Sequence, residues 1–154
     1  MENHSHTLLL VIVDEQIRNK LRDLILQVGI FNVVAVSDST SALEQLQQQS
    51  VSVLISDVFI GDVDGWKLSR MVRSGIFDTP ENTPIILMTP TYCERIAETT
   101  ARMFGVDAVL AHEHMQGLPR LLSDAMSSSL PRNDKQHILV VEDNKERAEL
   151  CQRV

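Results

Sequence analysis

The sequence predicts an α/β fold, with five parallel strands in one sheet and helices on both faces. Two observations carry this. Short apolar runs alternate five times with amphipathic stretches, and strands buried on both faces read as continuous apolar runs. Three of these runs end in residues that carry chemistry. Thr7–Val13 precedes Asp14-Glu15, Val51–Ser56 precedes Asp57, and Pro84–Met88 precedes Thr89. Open α/β sheets place their chemistry just outside the carboxyl ends of the strands. Three carboxylates and a hydroxyl are therefore expected to converge on one pocket, a set suited to a divalent cation and a phosphoryl group.

Each element follows in order. Thr7–Val13 is the first strand. Leu21, Leu24, Ile25 and Val28 then fall on one face of a helix over Gln16–Val28, the i, i+3, i+4, i+7 stripe, closed by Gly29. Phe31–Val36 is a β-branched strand. Ser41-Ala42-Leu43-Glu44 has the form of a capping box opening a short helix to Gln49. Val51–Ser56 is the third strand, and Gly65–Ser74 a helix carrying Trp66, Leu68, Met71 and Val72. A loop with Pro80 and Pro84 leads to strand Ile85–Met88. A helix over roughly Tyr92–Phe104 ends at Gly105. Asp107–Ala111 is the fifth strand. The last helix runs from about Leu118, with Pro119 in its first turn, to about Ser128. Five such units in series require right-handed crossovers and a sheet covered on both sides.

Composition narrows the function classes. The chain has 154 residues, which fits one domain with little left over. Its 44% hydrophobic content supports a core, and 23% charge is ordinary for a globular protein. A net charge of −7 with scattered Lys and Arg argues against direct nucleic-acid binding. Cys93 and Cys151 fit no metal or disulfide spacing and read as reduced cytosolic thiols. No apolar stretch approaches the roughly 20 residues needed to cross a bilayer. Met1 to His6 lacks the basic region of a signal peptide. A cytoplasmic location is expected, and a membrane-anchored parent protein is compatible with it.

Other readings of the motifs are weaker. A dinucleotide-binding unit needs G-x-G-x-x-G after its first strand, where this chain has Asp14-Glu15-Gln16-Ile17-Arg18. Carboxylates there would repel a pyrophosphate. Asp62 and Asp64 beside Gly65 lack the oxygen series and closing Glu of a calcium loop, so they read as turn residues. His112 and His114 offer no third metal ligand.

Four segments, in this order and spacing, resemble a response-regulator receiver domain, the CheY-like phosphoacceptor of two-component signalling. They are Leu10 to Glu15, Leu54 to Trp66, Pro84 to Pro90, and Gly105 to Glu113. The resemblance covers residues 7–129 and implies a flavodoxin-like fold. It further implies that Asp57 is the nucleophile, taking a phosphoryl group from a phosphohistidine on a histidine kinase or histidine phosphotransfer domain. Asp14, Glu15, Asp57 and the backbone carbonyl of Phe59 would hold Mg2+, and Thr89 would bond a phosphoryl oxygen.

The chain departs from that family at several positions. A Lys is expected after the fifth strand, and His112 stands there, followed by Glu113 where Pro is usual. Lysine is a fixed cation with a reference pKa of about 10.4, whereas histidine titrates near about 6.5 and is shorter. His112 is thus a weaker, pH-dependent substitute. Val109 replaces the switch aromatic, Ile60-Gly61 replaces Met-Pro, Glu15 is a methylene longer than Asp, and Pro90 replaces a small residue. The alternative reading is a degenerate pseudo-receiver, a phosphorylation-independent protein-interaction domain. An Asp-nucleophile phosphatase would need an acid at Phe59, two residues beyond Asp57.

The C-terminal end repeats the opening design. After a linker at 130–136, His137-Ile138-Leu139-Val140-Val141-Glu142-Asp143-Asn144 is again an apolar run closed by an acidic pair. Residues 137–154 resemble the truncated start of a second receiver domain, as in hybrid sensor histidine kinases. That second receiver of the same parent is an expected partner. So short a segment buries no core of its own. It must be disordered, fold against the first domain or pair with another copy. Of the ordered outcomes, contact with another copy, and so a homodimer through this segment, is expected, because an unpaired strand templates association.

Overall fold

The computed structural model describes residues 6–90, 99–101, 103–127 and 139–141. Strands β1 (His6–Val11), β2 (Phe31–Val36), β3 (Val53–Asp57), β4 (Ile85–Thr89), β5 (Ala108–Ala111) and β6 (Leu139–Val141) form one sheet in the order β2-β1-β3-β4-β5-β6. Every neighbouring pair runs parallel. The first five strands follow the flavodoxin-like order, with the direction of winding reversing between β1 and β3. That reversal opens a crevice at the carboxyl ends of the two central strands.

Alternation along each strand splits the core into two layers. Leu8, Leu10 and Ile12 pack with Leu21 and Ile25 of α1 (Glu15–Leu26) and with Leu118, Leu121 and Leu122 of α4 (Leu118–Ser127). Leu9 and Val11 face the other way, toward Ala42 and Leu46 of α2 (Ser39–Gln48) and Leu68 and Val72 of α3 (Gly65–Arg73). Both faces of the central strands are thus dry, which is why their sequences are apolar throughout. Each such Leu, Ile or Val contributes about 1.5–3 kcal/mol by leaving water.

Several boundaries differ from the sequence expectation. β1 stops at Val11, and Asp57 and Thr89 lie within β3 and β4, paired in register with Met88 and Ala111. The opening of α2 also differs. Asp38, not Ser41, is the cap: its Oδ1 accepts from Ser41 N at 2.7 Å, while Ser39 N donates to Ile60 O at 2.7 Å. A carboxylate is the stronger acceptor for the free N–H groups of a first turn. A 3-10 turn, His112–Gly117, intervenes between β5 and α4. Of the helix expected over 92–104, residues 99–101 and 103–104 are helical, and 92–98 and 102 lie outside the described residues. Cys93, Cys151 and the linker at 130–136 also lie outside them.

The amino-terminal edge of the sheet is tied by one guanidinium. Arg73 donates to the carbonyls of Gly105 (2.9 Å), Glu81 (2.6 Å) and Thr83 (2.6 Å), and pairs with Asp107 Oδ2 at 2.9 Å. Asp107 in turn accepts from Ile85 N at 2.8 Å.

The sixth strand corrects one expectation. Leu139, Val140 and Val141 pair with Ala108, Val109 and Leu110 of the same chain, not of another copy. A free parallel edge at β5 is satisfied by whichever strand is tethered nearest, and the covalent connection favours the intramolecular one. Among the described residues, no helix is long and apolar enough to cross a membrane.

Candidate functional site

The site is built around Asp57. It ends β3 beside the crevice, with 8% of its surface exposed. Its Oδ2 accepts from Val13 N at 3.0 Å, and its Oδ1 lies 2.8 Å from His112 Nε2. A carboxylate oxygen only accepts, so Nε2 carries the proton in this contact. The Asp57 carbonyl accepts from Ser56 Oγ at 2.7 Å. The side chain is therefore held from both sides, by a loop after β1 and by the first residue after β5.

The backbone beyond Asp57 explains one departure noted above. Gly61 has φ +130°, which proline cannot adopt, and a Cβ there would meet Ser39 Oγ. Ile60 is buried in the α2–α3 layer. Gly65 lets the start of α3 approach closely: its N–H donates to Val58 O at 2.6 Å, and a Cβ would collide with the Asp57 carbonyl. Asp64 caps that helix, accepting from Lys67 N at 2.8 Å, as its turn chemistry predicts. Val109 is a buried core residue.

The other expected ligands are placed differently. Asp14 is the cap of α1, its Oδ1 accepting from Ile17 N at 2.9 Å. Glu15 is exposed in the first turn of that helix, where its charge favours the positive helix end. Phe59 presents a side chain that is 79% exposed. Thr89 ends β4, one strand from Asp57. Among the described residues, no group of three or more His, Cys, Asp and Glu side chains is placed to hold a metal ion. Asp14 is engaged as a helix cap and Asp57 by Val13 N–H and His112, in place of the three-carboxylate cluster expected from the sequence.

Two contributors escaped the sequence reading. The Val13 N–H is one, and a backbone donor has no signature in sequence. Arg18 is the other. Its Nη1 donates to Ile12 O at 2.9 Å and Val13 O at 3.3 Å, fixing the loop that presents that N–H. A basic residue one turn after an acidic strand end was its only available signal.

The family model described as response regulator receiver domain matches residues 9–116. No curated protein sequence matches. Three solved structures are among those that share the fold. The receiver domain of a sensor histidine kinase from Pseudomonas aeruginosa, with a magnesium ion coordinated in its active site cleft, is 20% identical, with TM-score 0.67 over 80% of this chain and 98% of that one. A putative response regulator from Chloroflexus aurantiacus is 23% identical, with TM-score 0.65 over 79% and 96%. A DNA-binding response regulator of the LuxR family from Staphylococcus aureus is 19% identical, with TM-score 0.65 over 77% and 97%. These identities carry the fold alone.

Proposed function

Because this chain belongs to the response regulator receiver domain family, we propose that it is a phosphoryl-accepting module of a two-component relay, with Asp57 as the acceptor. The observation that carries this is Asp57 itself. It is a nearly buried carboxylate at the β1/β3 crevice, oriented by a backbone N–H and by His112. In the proposed step an Asp57 oxygen attacks the phosphorus of a phosphohistidine. The new P–O bond forms as the P–N bond breaks, and the imidazole leaves with the electron pair. Such transfers depend on positioning and charge stabilisation. His112 would supply the donor on one side, and Thr89 a hydroxyl to a phosphoryl oxygen.

For magnesium, the donor chemistry is right and the arrangement is not. Asp14, Glu15, Asp57 and the Phe59 carbonyl offer the hard oxygens Mg2+ takes. Yet Asp14 caps α1 and both Asp57 oxygens are engaged. The transfer is therefore written without an ion, and use of Mg2+ stands as a proposal to be measured. The donor would be a histidine kinase or histidine phosphotransfer domain. A hybrid kinase parent, its cytoplasmic setting, a receiver module at 7–129, a linker at 130–136 and the start of a second receiver at 137–154 rest on sequence resemblance.

A second reading has its own support. The absence of a three-ligand set among the described residues, with His112 closed on Asp57, favours a pseudo-receiver that binds partners without phosphorylation. Incubation with acetyl phosphate, with and without Mg2+, followed by intact mass, separates the two. The acceptor reading expects labelling that Asp57→Asn abolishes. Folded wild-type protein that stays unlabelled with Mg2+ present would remove it and leave the pseudo-receiver.

A further inference from the structure

The peptide group joining Ile12 to Val13 is gripped at both ends. Its carbonyl oxygen receives Arg18 Nη1 at 2.9 Å, and its N–H is given to Asp57 Oδ2 at 3.0 Å. A peptide unit is planar and trans, so its C=O and N–H point in opposite directions. A cation on the oxygen draws electron density along that plane and makes the N–H a stronger donor. Hydrogen bonds in series polarise one another in this way, most where water is scarce. Nη1 also reaches Val13 O at 3.3 Å, so both carbonyls flanking Val13 face the same guanidinium. Arginine keeps its charge throughout the range in which proteins fold.

The placement of Arg18 follows from α1. Arg18 N donates to Asp14 O at 2.9 Å, which puts the residue in the first turn, from where its side chain doubles back to the end of β1. It is half-buried there. The acceptor site thus has two donors of different kinds. His112 touches Oδ1 directly, and a fixed cation acts on Oδ2 through one backbone amide.

We propose that Arg18 is a positioning residue for the acceptor, transmitting its charge through the Ile12–Val13 peptide to Asp57 Oδ2. The effect is to fix the orientation of the acceptor carboxylate from its Oδ2 side, since orientation is a large part of such rates. The proposal rests on the reading of Asp57 as phosphoacceptor.

Three variants of the full chain test it: Arg18→Ala, Arg18→Gln and Arg18→Lys. Gln keeps a donor without charge, and Lys keeps the charge without the fork. Two readouts are needed, the rate of Asp57 labelling by acetyl phosphate and the position of the Val13 amide proton in NMR spectra. Arg18→Ala and Arg18→Gln are expected to label roughly tenfold more slowly, the scale of one charge-assisted contact. Their Val13 amide proton should move upfield, as a weakened hydrogen bond requires. Arg18→Lys should recover most of both. Should Arg18→Ala fail to fold, the Gln and Lys variants still decide. A Gln variant matching wild type in rate and Val13 shift would overturn the proposal while leaving Asp57 as acceptor. Wild-type protein that never labels would remove both.

Discussion

Asp57 and His112 stand 55 positions apart in the chain and meet at 2.8 Å. β4 lies between the strands that deliver them, so only the sheet order brings the two together. The contact closes one side of the acceptor carboxylate with a donor shorter than the lysine that the family resemblance leads one to expect. Labelling of Asp57 should therefore rise in His112→Lys, several-fold in rate or in yield, with Asp57→Asn as the blank. An unchanged yield would show that His112 does not limit the site. His112→Ala should cost about 1–3 kcal/mol of stability, because it leaves a nearly buried carboxylate oxygen short of a partner.

Asp38 gives a pH-dependent prediction. The Ser41 backbone N–H, helped by the Ser41 hydroxyl, holds its carboxyl below its ordinary value of 3.8. A carboxylate lowered by folding contributes stability above the unfolded value and loses it as pH falls through the folded one. Asp38→Ala should therefore melt earlier than wild type at neutral pH. The gap should narrow as the medium is acidified below 3.8. Melting curves across that range check it, and a gap that widens in acid would contradict the capping role.

Arg73 is expected to matter for folding and not for chemistry. Arg73→Ala removes donors from the carbonyls of Glu81, Thr83 and Gly105 and takes the guanidinium away from Asp107 Oδ2. Urea unfolding should show a loss of about 2–4 kcal/mol, the range for breaking a partly buried network. Arg73→Lys should lose nearly as much, since an ammonium cannot reproduce the fork. Below the unfolding transition, the rate of Asp57 labelling should be unchanged.

The β6 pairing predicts the effect of shortening the chain. Removal of residues 130–154 should leave the β2-β1-β3-β4-β5 sheet intact and uncover the edge of β5. Hydrogen exchange at Leu110 should then speed up, because its N–H faces β6, whereas Asp107 N–H, and with it Val109 N–H, faces β4. The shortened chain should also associate more readily, because an open edge is a template for another strand. Equal protection in both chains would mean that β6 contributes nothing to that edge.

Much of this molecule was legible before any coordinates. The apolar runs at Thr7, Phe31, Val51, Ile85 and Asp107 mark strands because burial on both faces leaves no polar alternation, and the observed β1 to β5 match them within a few residues. Asp57 stood out because a carboxylate that closes such a run must sit at the sheet's carboxyl end. Helix starts were less legible. Asp38 and Ser41 are both competent caps, and the choice between them came from the Ile60 carbonyl that captures Ser39 N.

Tertiary structure alone decided who touches Asp57 and who does not. Asp14 turned out to cap a helix, His112 to close on Oδ1, and Val13 and Arg18 to form the other wall. Backbone N–H and C=O groups occur at every position, so a sequence cannot say which of them a fold will aim at one carboxylate. The order of strands, the turn after β1 and the first turn of α1 make that choice.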